Sequence, residues 1–497
     1  MKENSIKKHW FIFTGSSLIL TGVLLNEWIV AALFSPDGVL STPLYRIIIW
    51  IFNVSLVSIG ALLLIYRESL VENIKMFLLP MIHKYLKASV KAILFPFITL
   101  IMVTVILEIG LQLLTVIFPK IDLLLSNPSE IPRTISVQRL GHRPNPVYPG
   151  HDRNGFRNIS VPEKAEIVAI GDSQTYGTKV KRYQAWPQQL QKFGKIKVYN
   201  MSFGGYGPVH SSILLDEALK FEPKLVIEAF YSGNDLYDSY QLVYAKNQLP
   251  EMKTSDEKVI KDILEADNIE SLWDRAHRDE TKKSKQKQTP DTKNFSSVAK
   301  DLFKKCKLYR IFSTVKRLYN DYRNPSFDWE HEKMHAMENE TYLLPFENGE
   351  FRTIFTPDRR FCALDFNDVR IIEGHRLSLE AIRLMSKRTK KENIDFKVLL
   401  IPTKELVFKN VVYETQESPR DDYKTLIDSE ELFWRRTKTY LENQGIDYID
   451  SLPALRSCLS SGVQPYRISK DGHPNPVGHQ AIAELVLSTL REHTDLK

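Results

Sequence analysis

Four short segments carry residue types that can do chemistry together only if a fold gathers them. Ser173 follows the apolar run Ile167–Ile170 in the stretch EIVAIGDSQTYG. A short, continuous apolar run is the pattern of a buried parallel strand, and a glycine at its carboxyl end lets the backbone turn sharply. A serine at that turn stands at the sheet edge where open α/β folds bind their ligands, which makes Ser173 the candidate nucleophile. A hydroxyl nucleophile needs a base, a group that orients the base, and donors for the developing oxyanion. Asp471 and His473 stand in the Gly/Pro-rich loop DGHPNPVGH, before an amphipathic helix, and can supply orienter and base. The Ser173 N–H, a backbone N–H of Gly204-Gly205 and the Asn234 side-chain amide can supply the oxyanion donors, each just after a predicted strand.

The elements that must position these residues read as alternating strands and helices, the pattern of a parallel sheet. Predicted strands are Ile167–Ile170, Ile196–Asn200, Leu225–Phe230, Phe396–Ile401 and Ile446–Ile449. In a parallel sheet all their carboxyl ends share one edge, so the weak local signals converge. Amphipathic helices are marked by Leu377, Ile382, Leu384 and Met385, and by Leu432, Phe433, Thr437 and Leu441. Residues 121–160, dense in Pro, Asn and Gly, are expected to form an ordered linker. The stretch 238–370 is far longer than an ordinary loop of about 2–6 residues and reads as an insertion. Within it Arg278–Gln288 is charged enough to stay solvated, and a helix is expected from Val298 to Tyr322.

Ahead of this domain, Trp10–Phe34, Leu44–Tyr66 and Ala92–Phe118 are each long enough to cross a hydrocarbon core, which takes about 20 apolar residues. The first run is too long for a cleavable signal peptide and lacks a small-residue cleavage site, so three transmembrane helices are expected. Lys2, Lys7 and Lys8 precede the first, and Arg67, Lys75, Lys84, Lys87 and Lys91 separate the second from the third. The connection Ser35–Pro43 holds Asp37 and no cation. Positive-inside puts the N-terminus in the cytoplasm and everything from Pro119 onward outside; Arg46, near the outer end of the second span, is the one dissenting charge. Glu27 and Glu108 interrupt apolar runs; Glu27, near a helix end, is expected to reach the interface, and Glu108, deeper, to pair between helices or be protonated.

A net charge of +7 among 67 basic and 60 acidic residues gives no argument for nucleic acid, and no aromatic-interleaved basic patch or zinc-finger spacing accompanies it. The three cysteines, Cys306, Cys362 and Cys458, form no CxxC, which excludes a disulfide-rich scaffold and a cysteine zinc site. GxxxxGK[ST], GxGxxG and HExxH are absent, so no cofactor and no metal is expected. His479, at a helix start after Pro476 and Gly478, reads as a packing residue. Asp172 can cap the helix after Ser173, pair with a cation or act directly; Lys404 and Glu405 follow the fourth strand at the functional edge.

GDS, a glycine after the second strand, GND and a C-terminal Asp/His block together resemble the signature blocks of the SGNH (GDSL-type) hydrolases. The likeness runs from about Asp152 to His493, with the insertion poorly covered. Asp152–Arg157, Trp186-Pro187, Pro402–Glu405 and DGHPNPVGH also resemble a membrane-anchored bacterial branch, related to the SGNH-like domains of polysaccharide O-acetylation proteins. The resemblance implies a flavodoxin-like three-layer α/β/α fold, Ser173 as nucleophile, His473 as base, Asp471 as its partner, and Gly205 and Asn234 as oxyanion donors. Gly205 is chosen over Gly204 by counting from Asn200. The common family spacing is Asp-x-x-His; here it is Asp471-x-His473, as in that branch. The implied activity is a membrane-anchored esterase acting outside the cytoplasmic membrane on O-acyl, chiefly O-acetyl, esters of glycans. Two further readings are an O-acetyltransferase, fed by a membrane acyl-donor partner, and a non-catalytic glycan-binding or assembly subunit.

Overall fold

A computed structural model describes residues 2–35, 37, 40, 43–69, 101, 104–105, 107–117, 131–276, 306–323, 328–338 and 342–492. The chain divides into two compact units: residues 1–132, 147–150 and 291–325 form one, and residues 133–146, 151–290 and 326–497 the other.

The first unit is helical. Helices Lys2–Leu24 and Glu27–Phe34 precede helix Pro43–Ile65. Gly15 and Gly60 let two of these backbones meet, since a Cβ on Gly15 would lie 2.8 Å from the Gly60 carbonyl oxygen. Small residues at such crossings allow close helix packing where apolar surroundings offer no hydrophobic drive. The expected unbroken span Trp10–Phe34 is instead bent by 65° between Phe11–Leu24 and Glu27–Leu33. The cause is Asn26, whose side chain accepts from the Trp28 and Ile29 N–H groups at 3.0 Å and so starts a new helix. Among the described residues only Arg46–Ile65 is long and apolar enough to cross a membrane alone, with the bent pair as a second candidate. Of the third expected span, Leu107–Ile117 is a shorter apolar helix, and residues 92–100, 102–103, 106 and 118 lie outside the described residues.

Both intrahelical carboxylates have partners. Glu27 forms a two-bond ion pair with Arg46, at 3.0 Å each. Glu108 accepts from Gln112 Nε2 at 2.7 Å and from the Lys307 and Leu308 N–H groups at 2.9 and 3.0 Å, which caps helix Lys307–Arg323. That helix occupies the later part of the one expected from Val298 to Tyr322; residues 298–305 and the charged tract Arg278–Gln288 lie outside the described residues.

The second unit is built on a five-stranded sheet of β3 (Ile167–Gly171), β4 (Val198–Asn200), β5 (Leu225–Tyr231), β8 (Asp395–Ile401) and β9 (Asp447–Asp450). All pairings are parallel and the order is β4-β3-β5-β8-β9. Counted within the sheet this is 2-1-3-4-5, the doubly wound order whose ligand crevice opens between its first and third strands, here β3 and β5. The α/β expectation holds, and all five predicted strands are present. Every residue of β3 and β5 is buried, as continuous apolar runs require when helices cover both faces. Helix Val369–Lys391 buries Leu377, Ile382 and Met385, whereas Leu384 is exposed; helix Asp421–Gln444 buries Phe433, Thr437 and Leu441.

Two antiparallel hairpins flank the sheet: β1 (Thr134–Val137) with β2 (Gly141–Pro144), and β6 (Leu344–Glu347) with β7 (Arg352–Phe355). The first departs from expectation. Much of the presumed linker folds with the sheet, because its turn-forming side chains satisfy their own loop backbone. Asp152 accepts from the Asn154 and Phe156 N–H groups at 2.9 and 3.1 Å, and from Tyr199 Oη at 3.0 Å.

Candidate active site

The turn that carries Ser173 starts from Gly171, whose φ of 149° and crowding exclude a side chain: a Cβ would lie 2.9 Å from the Ala229 carbonyl oxygen. The chain then leaves the sheet through Asp172 into helix Ser173–Tyr176. Of the roles open to Asp172, capping is the one it takes: Oδ1 accepts from the Gln174 N–H at 2.8 Å. Burial, with the nearby Asp238 charge adding to it, pushes the Asp172 carboxyl up to about 7 despite the hydrogen bonds it accepts.

Residues 300 positions apart meet at the sheet edge. Ser173 Oγ lies 2.9 Å from His473 Nε2, and His473 Nδ1 lies 2.8 Å from Asp471 Oδ1. Asp471 also accepts from the His473 N–H at 2.9 Å, so the one-residue spacing lets one carboxylate hold both backbone and ring. Burial alone would raise the Asp471 carboxyl, but these hydrogen bonds and the His473 charge hold it well below the usual carboxylate range. Ser173 Oγ can also donate to Asp172 Oδ2 at 3.2 Å, a longer path than the one to the imidazole.

The remaining predicted residues converge on the same edge. A Cβ on Gly204 would lie 3.7 Å from Ser173 Cβ. Gly205 takes a left-handed φ of 76°, with the His142 ring as its nearest neighbour. His142 Nε2 sits 3.2 Å from the Gly204 carbonyl oxygen and braces this turn. Burial lowers the His142 imidazole and favours its neutral form. Asn234, after β5, donates its side-chain amide to Asp238, one helical turn on. That bond fixes the amide's orientation and leaves its second hydrogen uncommitted to Asp238. His479 is buried, and its Nδ1 accepts from the Trp186 N–H at 3.3 Å. Burial, with the charges of His473 and Arg157, drives it down to about 3, so it is a neutral packing residue.

Lys404 is buried behind the Asp471–His473 loop, and its Nζ donates to the carbonyl oxygens of Ile354 and Ser469 at 2.8 Å and of Asp471 at 3.1 Å. It ties the Asp471–His473 loop to β7. The adjacent Glu405 accepts from the Thr356 N–H at 2.9 Å. Among the described residues no group of three His, Cys, Asp or Glu side chains could hold a metal ion.

Sequence reasoning assigned no role to the supports: His142, Asp238, and the side chains that grip helix Ser173–Tyr176 from behind. Arg157 donates to the carbonyl oxygens of Tyr176, Gly177 and Val180 at 3.3, 2.5 and 2.8 Å. His151 Nε2 lies 2.8 Å from Tyr176 Oη, and Asn200 Nδ2 donates to the Thr175 carbonyl at 2.9 Å. The four-residue spacing of Asn234 and Asp238 was the one readable signal among these.

No family model and no curated protein matches the chain. Among solved structures, it is similar to one from Desulfitobacterium hafniense DCB-2 described as a lipolytic protein of the G-D-S-L family, at 12% identity. That match covers 66% of this chain and 100% of the other, with a TM-score of 0.30. A second, from Bacteroides fragilis NCTC 9343 and described as an acylhydrolase, is 11% identical, covers 67% of this chain and 91% of the other, and has a TM-score of 0.28. Likeness this distant fixes neither activity nor substrate.

Proposed function

We propose that the chain is a membrane-anchored serine ester hydrolase of the SGNH type, acting outside the cytoplasmic membrane on O-acyl, chiefly O-acetyl, esters of glycans. The observation that carries the chemistry is the Ser173–His473–Asp471 relay, with contacts of 2.9 and 2.8 Å. In this reading Ser173 Oγ attacks the ester carbonyl while His473 Nε2 takes its proton. The tetrahedral oxyanion is held by the Ser173 N–H, the Gly204-Gly205 turn, with Gly205 the assigned donor, and Asn234. Collapse breaks the ester C–O bond as His473 returns the proton to the leaving alcohol, and an acyl-serine remains. Water, deprotonated by His473, then attacks that acyl group, and Ser173 leaves with the proton. Asp471 holds the ring and favours the imidazolium formed in each step. Neither metal nor cofactor enters. The glycan and the location rest on the sequence resemblance and on the cation asymmetry of the apolar segments.

Full-length protein in detergent, parent and Ser173→Ala, is treated with a fluorophosphonate probe and then with acetylated glycans. Labelling and acetate release that both vanish in the variant are expected. Labelling that persists in Ser173→Ala would sink the assignment, and acetyl transfer to added sugar without free acetate would replace hydrolysis by transfer.

A further inference from the structure

A pocket of about 200 Å³ opens beside the triad loop, with Arg275, Arg359, Arg360 and Lys470 in its wall together with Asp358, Asp471 and His473. Some of this charge is committed elsewhere. Arg275 pairs with Asp365 and Asp368 at 2.7 and 2.8 Å, and Asp471 is engaged by His473. Arg360 stands differently. Among the described residues no carboxylate lies within ion-pair distance of it, and its buried Nε has no hydrogen-bond partner. Its Nη1 reaches the Gly233 carbonyl oxygen only at 3.5 Å, and its guanidinium lies 5.7 Å from the centre of the Tyr231 ring. A Cβ on Gly472, between Asp471 and His473, would meet Arg360 Nη2, so the guanidinium packs closely against this turn. One guanidinium thus spans the turn that carries Asn234 and the turn that carries His473. Glu405 and Asp471 act on it only from longer range. Lys470 is exposed at the rim, with no ion pair among the described residues.

A largely buried cation without a contacting counter-ion is costly, and guanidinium presents a planar fork of donors that fits carboxylate or phosphate oxygens. We propose that Arg360, assisted by Lys470, binds an anionic group of the substrate, so that the preferred ester carries a carboxylate or phosphate beside its scissile acyl group. The inference rests on the reading of Ser173 as the nucleophile. It goes beyond that reading by making this a site for acidic esters, such as an acylated acidic glycan, in place of neutral ones.

The test compares 4-acetoxybenzoate and 4-acetoxyphenyl phosphate with neutral phenyl acetate, using full-length protein in detergent. The parent is expected to show a higher kcat/KM for at least one anionic ester, and the winner names the oxyanion. Arg360→Gln should lower the anionic-to-neutral ratio by about 10- to 100-fold, the range of a charge-assisted hydrogen bond. Arg360→Lys should recover part of it, and Lys470→Gln, at an exposed position, should lower the ratio by a smaller factor. A parent ratio near one, or equal losses on charged and neutral esters in Arg360→Gln, would overturn the proposal and leave Arg360 a prop between two turns. Were no ester turned over, the nucleophile assignment would fail and the subsite would be judged alone. Calorimetric titration with benzoate and phenyl phosphate then decides: saturable binding that weakens in Arg360→Gln and Lys470→Gln supports it, and none overturns it.

Discussion

At the scale of single residues, the site is decided by how each reacting group is held. Asn234 is useful to an oxyanion only if its amide is fixed, and Asp238 takes one of its hydrogens. Loss of one such donor costs about 10²–10³ in kcat, so Asn234→Ala should fall by that factor with its melting temperature nearly unchanged. Turnover close to the parent's would remove Asn234 from the oxyanion site. Lys404 gives a pH signature. Burial lowers its ammonium to about 8, with Arg360 pushing the same way and Glu405 and Asp471 opposing. Below that pH the three ammonium hydrogens match its three carbonyl acceptors. Above it one donor and the charge are lost, and the hold on the Asp471–His473 loop slackens. Activity is expected to decline as pH rises through about 8, and Lys404→Met to be weakly active with no such alkaline limb. A pH–rate profile in which the variant keeps the limb would assign the titration to another group. Ser173 and Asn234 were legible because they follow predicted strands, and Asp471 and His473 because an Asp/His pair stands out in a Gly/Pro-rich loop before a helix. Asp238, His142 and Arg360 were not, since a polar side chain outside a motif shows its partner only after folding.

At the scale of elements, β3 and β5 were readable because a strand buried on both faces must be apolar throughout. Glu228 is the exception, in the middle of β5 and fully buried. Burial raises its carboxyl to about 8, with Asp172 adding to the rise. The folded state therefore holds a proton that the unfolded chain releases near pH 4.5. Its stability contribution is intact below that pH, declines through the window up to about 8, and is level above it. Glu228→Gln removes the titration, so its stability should gain on the parent's by a few kcal/mol, on the order of 1.4 per pH unit, across that window. Denaturant midpoints of the two proteins that run parallel with pH would refute this. The stretch Asp152–Arg157 reads as ordered in the sequence, but its place beside the sheet does not, for a physical reason: the Asn, Gly and Asp of a connector fold into a fixed loop when their side chains close on backbone groups. Arg157 donates to three carbonyls behind the nucleophile. Arg157→Ala is expected to destabilise by about 3 kcal/mol by stranding buried acceptors. An unchanged thermal melt would mean that the turn holds its shape without the arginine.

At the scale of the whole molecule, the proposed membrane anchor implies a definite number of crossings, and charge pairing bears on that number. Arg46 was the one cation opposing the positive-inside orientation. Its two-bond pairing with Glu27 neutralises it, so the connection Ser35–Pro43 is left with no uncompensated positive charge. The flanking cations then favour Lys2, Lys7 and Lys8 and the stretch Arg67–Lys91 on one side, with Ser35–Pro43 on the other. The 65° bend at Asn26 leaves two geometries for the first apolar segment. Taken as one kinked crossing, it combines with Arg46–Ile65 and the expected third span to place the two ends of the chain on opposite faces. Taken as a re-entrant turn, it removes one crossing and places both ends together. The first outcome is expected, because a re-entrant segment would put Ser35–Pro43 on the same face as Lys2, Lys7 and Lys8, against the charge asymmetry. Alkaline phosphatase and green fluorescent protein, fused in turn to each end, read this directly. An active phosphatase at the C-terminus with fluorescence at the N-terminus matches the kinked crossing; fluorescence at both ends requires the re-entrant one, and with it a cytoplasmic active site.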